Sequence, residues 1–251
     1  MEQIKNVLEG FDSISLKEMD SVKLMNRLDT KYMFLIDQLP GILNDLQPDF
    51  RVLEVNSARL NRYETLYFDT EEHNLYLDHH NGRLNRFKIR KRRYLESGIS
   101  FFEIKRKNNK GRTQKERIRQ KETPESISGK SAKLLMEATS LSPDMIRPAL
   151  WILFSRITLV NKKLTLRLTI DVGLRFRLGE KLKEYPDLVI AELKQDLSAN
   201  SPFKEIMHKY HILDTSISKY CLGIISLNEN IKHNNFKSKL LRLKKLTHAY
   251  N

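Results

Sequence analysis

The feature of this sequence that most constrains its fold is a series of short segments in which polar, mostly charged residues recur at every second position. Successive side chains of a β-strand point to opposite faces, so residues two apart share one face. The intervening positions are often apolar, as Phe87 and Ile89 are. The pattern predicts strands that bury one face and place charge on the other. The alternating residues are Arg27, Asp29, Lys31; Arg86, Lys88, Arg90; Glu103, Lys105, Lys107; Lys115, Arg117, Arg119; Thr165, Arg167, Thr169, Asp171; and Glu192, Lys194.

Several such strands together indicate a sheet or barrel with one densely cationic surface. The chain carries 45 Lys and Arg against 31 Asp and Glu, a formal net charge of +14. Because crowded cations repel one another, this surface predicts a polyanionic partner such as nucleotides, polyphosphate, nucleic acid or an anionic membrane. Binding of single-stranded nucleic acid is disfavoured. That mode uses aromatic side chains for base stacking, and here the cations alternate with carboxylates, threonines and aliphatic residues.

The length of 251 residues suits one large domain or two small ones. Cys221 is the one cysteine, which excludes an intramolecular disulfide and fits a reducing compartment. The sequence shows no apolar stretch typical of a signal peptide or a membrane-spanning helix. We therefore expect a cytoplasmic protein.

The expected fold class is α+β and mainly antiparallel β, with helices packed outside. A small barrel normally fills its interior with apolar side chains, so a charged interior favours a closed barrel around a ligand tunnel. One helix is predicted over EEHNLYLDHHN, where His73, His79 and His80 are expected to be solvated. We expect residues 1–227 to form the domain. Residues 228–251 are expected to be a basic tail that forms a peripheral helix.

The ordered series RLDTKY, LYFDT, KIR, FFEIK, FSR, LRLTID, AELK and SKYCLG resembles the VTC domain. This is the polyphosphate polymerase domain of the triphosphate tunnel metalloenzyme (CYTH-like) superfamily. The resemblance covers most of the chain, from near Met19 to Gly223. It implies an eight-stranded antiparallel barrel with a basic tunnel, ATP as phosphoryl donor, polyphosphate as product, and Mn²⁺ or Mg²⁺ as cofactor.

The resemblance also implies roles for individual residues. The catalytic phosphate-binding cations would be Lys31, Lys88, Arg90, Lys105, Arg156, Arg167 and Lys219. Further substrate contacts are expected from Arg27, Arg86, Lys115, Arg117, Lys194 and Ser218. The metal ligand would be Glu192, with Glu103 and Asp171 as further candidates.

Two departures from the superfamily pattern bear on these roles. The wider superfamily opens with E-x-E-x-K, whereas this chain has Arg27, Asp29 and Lys31, which favours the VTC branch over adenylate cyclases and thiamine triphosphatases. Ser216 stands where a second basic residue is expected before the final helix.

General chemistry supports such roles. Arginine binds phosphate through two parallel hydrogen bonds, and lysine acts as a movable point charge. Strand cations two residues apart lie about 6.6 Å from each other, so one strand can hold neighbouring phosphates. Phosphoryl transfer depends on positioning and on neutralisation of charge, partly by a metal. A carboxylate among the cations is therefore a candidate metal ligand.

Several alternatives stay open at this stage. Glu192 could instead be a salt-bridge partner of Lys194, and Asp171 could orient an arginine or belong to a turn. The same site could hydrolyse a triphosphate with water, or could bind polyphosphate without turnover. A membrane-protein partner is also open, as is the question whether the basic tail binds a membrane or a partner.

Overall fold

The computed structural model describes residues 1–19, 27–110, 112–120, 125–196 and 201–248, without the side chains of residues 27, 196 and 248. The prediction for the Arg27 side chain thus lies outside the described residues. The strands are β1 (Ser13–Ile14), β2 (Arg27–Leu35), β3 (Phe50–Leu53), β4 (Asn61–Asp69), β5 (Arg86–Tyr94), β6 (Ile99–Lys107), β7 (Thr113–Gln120), β8 (Arg147–Asn161), β9 (Leu166–Leu178), β10 (Lys181–Tyr185), β11 (Leu188–Asp196) and β12 (Asp214–Thr215). The α-helices are α1 (Glu2–Glu9), α2 (Leu16–Met19), α3 (Leu39–Leu46), α4 (Asn74–His80), α5 (Gly129–Ala138), α6 (Pro202–Lys209), α7 (Lys219–Leu227) and α8 (Lys237–His248).

The described strands form one 12-stranded sheet in the order β12-β2-β11-β9-β8-β4-β5-β6-β7, with β1, β3 and β10 attached beside this path. Neighbours along the path are antiparallel. The mainly antiparallel fold predicted from the alternating segments is therefore confirmed. Among the described residues, no helix combines the length and apolar character needed to cross a membrane.

The described part of the chain does not form the predicted closed eight-stranded barrel. Within the described part of the chain, no ladder joins β7 to β12 or β2, so the sheet has two ends. The edge of β2 at Lys31 and Tyr32 is taken by β12 instead. Lys88 of β5 contacts Ser218 at the start of α7, with Nζ donating to Oγ at 3.0 Å. The segment from β12 to α7 thus lies beside β2 and reaches β5 through side chains.

Helices cover the apolar face of the sheet. Alternation places Phe34 of β2 and Leu168 of β9 on this face, where they are fully buried against α1, α3 and α6. Pro40 lies in the first turn of α3, where its fixed φ suits a helix and its missing N–H costs nothing. Leu135 of α5 packs in the same way against Phe102 and Ile104 of β6. Burial of this face leaves the opposite face to carry the charged residues.

Helix α7 packs closely against strands β8 and β9. A Cβ atom at Gly223 would lie 2.5 Å from Phe176 and 2.6 Å from Leu150. Glycine therefore permits the approach of this helix to β8 and β9. The approach brings Ser218 and Lys219, at the start of α7, against the charged face.

Helix α4 is less exposed than the sequence predicted. His80 is only 3% exposed and His79 is half-buried, so the expectation that they are solvated is wrong. Both rings contact Phe236, at centroid distances of 5.4 Å for His80 and 6.1 Å for His79. Phe236 comes from the chain just before α8, a contact that the local pattern of α4 does not reveal. His73 is half-buried too and precedes the helix with a left-handed φ of 57°.

Candidate functional site

The charged face is the sheet face that carries the alternating polar residues. Register aligns them across strands, because antiparallel partners point to the same side. Lys31 of β2 lies opposite Glu192 of β11, and Lys194 lies opposite both Asp29 and Arg167. The other residues that register aligns are Arg156 with Asp171, Arg90 with Glu103 and Arg117, and Lys105 with Lys88 and Lys115.

Asp171 joins two of the predicted cations. Its carboxylate accepts a two-pronged contact from Arg156, at 2.6 Å from Nε and 2.8 Å from Nη2. Nζ of Lys219, from the start of α7, lies 2.5 Å from the same carboxylate. Burial raises the pKa of Asp171, but Arg156 and Lys219 outweigh burial and hold this pKa below its usual range. A buried, ionised aspartate therefore fixes an arginine and a lysine beside each other.

Glu103 likewise fixes two cations, on the other side of the charged face. Its side chain is 0% exposed, and it accepts from Nε of Arg90 at 2.7 Å and pairs with Lys115. Arg90 also donates from Nη1 to the hydroxyl of Tyr67 at 3.0 Å. Burial raises the pKa of Glu103, but Arg90 and its neighbouring cations lower it far below the usual range. Both buried carboxylates thus orient cations.

Lys105 differs from these paired cations. Among the described residues it makes no ion pair or hydrogen bond, while its register partners on both sides are lysines, Lys88 and Lys115. Repulsion from Arg90 and then burial lower the pKa of Lys105 to about 6. Burial is also the main cause that lowers the pKa of Lys88. An anion bound here would relieve this repulsion.

Glu192 and Asp29 share one cation. Nζ of Lys194 lies 2.5 Å from Oε1 of Glu192 and 2.5 Å from Oδ2 of Asp29. Burial raises the pKa of Glu192, but Lys194 and Lys31 outweigh it and lower this pKa well below the usual range. Glu192 is therefore an ionised carboxylate beside Lys31 and Lys194 on the charged face.

The predicted site residues divide into central and marginal positions. On or against the charged face lie Lys31, Lys88, Arg90, Glu103, Lys105, Lys115, Arg156, Arg167, Asp171, Glu192, Lys194, Ser218 and Lys219. Arg117 lies on the exposed edge strand β7, with its guanidinium 4.6 Å from the ring centroid of Phe101. Arg86 lies at the end of β5 and donates to the carbonyl of Arg83 at 2.6 Å.

The three predicted metal ligands do not form one cluster. Glu103 and Asp171 are each engaged by two cations, and the described residues contain no group of three or more His, Cys, Asp or Glu side chains that could hold a metal. Mg²⁺ and chemically similar ions often use one or two carboxylates, with waters and substrate phosphates as the other ligands. The carboxylate of Glu192 beside the cations fits such a partial site, whereas a complete protein cage does not fit.

Sequence reasoning missed several residues of the charged face. Arg92 continues the alternation of Arg86, Lys88 and Arg90, and its Nε donates to Thr65 at 3.1 Å. The ring of Tyr63 lies 5.4 Å from the guanidinium carbon of Arg92 and 5.0 Å from that of Arg156. Extending the alternation by one step in β5 identifies Arg92, and applying the same alternation to β4 identifies Tyr63.

A buried hydrogen-bond network beside the face was also missed. Asp69, at the end of β4, accepts from the backbone N–H groups of Leu75 and Tyr76 at 2.8 and 2.9 Å. The hydroxyl of Tyr220 donates to the same carboxylate. Asp69 thus connects α4 to α7, which carries Lys219 onto the face.

Comparisons with known proteins agree with this architecture. The chain matches the VTC domain over residues 26–228. A search of curated proteins finds no significant match. One similar solved structure is the Hippeastrum protein HpAC1, described as an adenylyl cyclase candidate with a dominant triphosphatase activity. It is 11% identical, has a TM-score of 0.50, and the match covers 82% of this chain and 100% of that one. Another is an adenylate cyclase candidate from Vibrio parahaemolyticus, 13% identical, with a TM-score of 0.48 and coverage of 80% and 99%.

Proposed function

Since the chain belongs to the VTC domain family, we propose that it is a polyphosphate polymerase that transfers the γ-phosphate of ATP onto a growing polyphosphate chain. The observation that carries this proposal is the arrangement of cations around Lys105. Two buried carboxylates fix Arg90 and Arg156 in place, while Lys105 lies among cations and makes no ion pair within the part of the chain that the structure describes. A row of negatively charged phosphates supplies the charge that this arrangement lacks.

The chain's own residues would act mainly by positioning and by electrostatics. Arg90 and Arg156 are held by Glu103 and Asp171, so their guanidinium groups need little reorganisation when phosphate binds. Lys31 of β2 and Lys88 of β5 add point charges, and bound phosphate would favour the charged form of Lys105 on β6. Cations fixed before the reaction stabilise the charge that spreads over the transferred phosphoryl group.

Glu192 is the residue that would hold Mn²⁺ or Mg²⁺. Such an ion would neutralise part of the phosphate charge. Lys194 lies 2.5 Å from Glu192 and would have to share or release this carboxylate. Glu103 and Asp171 orient cations in this proposal and are not ligands.

A second candidate function is triphosphate hydrolysis. It is favoured by the likeness to HpAC1, which is described as having a dominant triphosphatase activity. Water would replace the polyphosphate end as the acceptor of the phosphoryl group. The cations would have the same roles, so the products distinguish the two reactions.

The test is an incubation of the protein with ATP and Mn²⁺, followed by separation of ADP, free phosphate and long polyphosphate. We expect ADP together with polymer. Stoichiometric free phosphate without polymer would assign the protein to the triphosphatases. Tight ATP binding with neither product would make the protein a binding module for polyphosphate.

Glu192→Gln should change the metal dependence of this reaction. Glutamine keeps the shape of the side chain but loses the charge that attracts a divalent ion. We expect turnover to collapse at low Mn²⁺ and to recover partly at high Mn²⁺. The measurement is a Mn²⁺ titration of activity for the variant and the parent.

Asp29→Asn is the matched control, because Asp29 contacts the same Lys194 ammonium at the same 2.5 Å. It should lower activity less at low Mn²⁺. If the Glu192→Gln and parent titrations run parallel and only stability falls, Glu192 is a salt-bridge partner of Lys194.

A further inference from the structure

A second group of cations lies where the charged face ends. Arg86 of β5 and Lys107 of β6 are register partners, two residues beyond Lys88 and Lys105 on the same strands. They therefore point to the same side and extend the row of cations by about 7 Å. The row thus continues past Lys88 and Lys105, and it includes Arg86, which the resemblance implied as a further substrate contact.

Helix α4 and the chain before α8 meet the end of this row. His79 of α4 stacks on Phe236, and Nζ of Lys239 lies 5.2 Å from the centroid of the same ring. Asn235 fixes this contact, because its backbone N–H donates to Nε2 of His80 at 3.2 Å and its side-chain amide donates to the His80 carbonyl at 3.0 Å. Arg86, Lys107, His79 and Lys239 are called the rim cluster below.

The rim cations contribute to the electrostatics of His79. Burial lowers the pKa of His79 to about 3, with further lowering by Lys88, Arg86, Lys239 and Lys107. Four cations thus act on one imidazole, which is neutral near pH 7. Nδ1 of His79 is buried without a hydrogen-bond partner among the described residues. Asp78, one residue earlier in α4, is paired with Arg83 at 3.1 Å.

Helix α8, which contributes Lys239 to the rim cluster, adds further positive charge beside it. Helix α8 carries Lys237, Lys239, Arg242, Lys244 and Lys245 and contains no acidic residue. Its position beside β12 is fixed by Arg242, which donates to the carbonyls of Leu213 at 2.6 Å and Asp214 at 2.9 Å. Phe236 and Lys239 lie beyond residue 228, where the match to the VTC domain ends. This part of the cluster is therefore a feature of this chain outside the shared domain.

We propose that the rim cluster is a second anion site, which binds the phosphates of linear polyphosphate that extend beyond the charged face. This inference rests on the proposed function and adds a preference for long polyphosphate over triphosphate. Continuity of charge supports one extended polyanion as the occupant. Lys88 belongs to the charged face, contacts Ser218, and also acts on His79 in the rim cluster.

The test compares the affinities of tripolyphosphate and of long-chain polyphosphate for the parent and for Lys239→Gln at fixed salt. We expect the variant to bind the long chain about fivefold more weakly, because it loses the one charge contact of the half-buried Lys239. Its affinity for tripolyphosphate should not change. The matched control is Lys130→Gln, which removes the same charge from the exposed surface of α5 and should change neither affinity. Lys107→Gln provides a second rim variant if Lys239→Gln does not fold.

The outcomes separate this inference from the proposed function. If the parent binds neither probe, the proposed function fails and this inference fails with it. If the parent binds both probes and the rim variants weaken both equally, or weaken neither, only this inference is overturned. Vesicles containing phosphatidylserine are the third probe, which tests whether the rim cluster binds an anionic membrane surface. Vesicle binding that the rim variants lose, with long-chain affinity unchanged, would assign the cluster to an anionic membrane surface and overturn the inference.

Discussion

Lys105→Ala is expected to lower the rate of ATP turnover about a hundredfold, the typical effect of removing one well-placed donor from a transition state. Lys105 lies between Lys88 and Lys115 and makes no ion pair among the described residues. Its removal should therefore leave no buried carboxylate unpaired, and the melting temperature should hold or rise. An early melting transition with unfolded protein would show that Lys105 is structural and that anion binding is not its role.

The stability gain of Lys105→Ala should depend on pH. The pKa of Lys105 is about 6 in the folded protein, against 10.5 for an ordinary lysine, so the unfolded chain binds more protons between these values. The penalty that Lys105 imposes on the parent is thus largest near pH 6 and fades as the pH rises toward 10.5. Denaturant unfolding of parent and variant at pH 6 and pH 9 measures the difference. A larger gain at pH 9 would contradict this assignment.

Asp171→Asn is expected to have the largest effect on stability, a loss of about 3–5 kcal/mol in the free energy of unfolding. Asp171 is 2% exposed and is the shared partner of Arg156 and Lys219, so an amide leaves two half-buried cations without their carboxylate. Turnover should fall too, because both cations lose their fixed positions. Denaturant unfolding measures the change in stability.

Asp29→Asn is the control, since Asp29 is exposed and its ion pair with Lys194 lies nearer the surface. Equal small losses for the two variants would show that Asp171 does not hold the site together.

The sequence predicted the strands of the charged face because a period of two residues identifies which side chains share a face. The alternating segment with Asp29 and Lys31 lies in β2, and the segment with Glu192 and Lys194 lies in β11. The same rule placed Lys31, Arg90, Lys105 and Glu192 on one surface. It could not reveal which cation pairs with which carboxylate, since that depends on register between strands far apart in the chain. Arg90 and Lys105 look equivalent by pattern, yet Arg90 is tied to Glu103, whereas Lys105 makes no ion pair among the described residues and is dominated by repulsion from Arg90.

The sheet edges and the metal site could not be predicted for related reasons. Closure depends on how β12, a strand of 2 residues, and the start of α7 take the space beside β2. Glu103 and Asp171 are carboxylates, the residue type expected to bind a metal, but their oxygens are engaged in ion pairs with arginines. The burial of His79 and His80 comes from Phe236, a residue more than a hundred positions away in the sequence.

A crystal structure of the protein with tripolyphosphate would decide whether the charged face holds a linear triphosphate. We expect phosphate groups within hydrogen-bond distance of Lys105, Arg90 and Arg156, with the pairs to Glu103 and Asp171 intact. Tripolyphosphate bound only elsewhere on the molecule, with the charged face empty, would show that this face is not the substrate site.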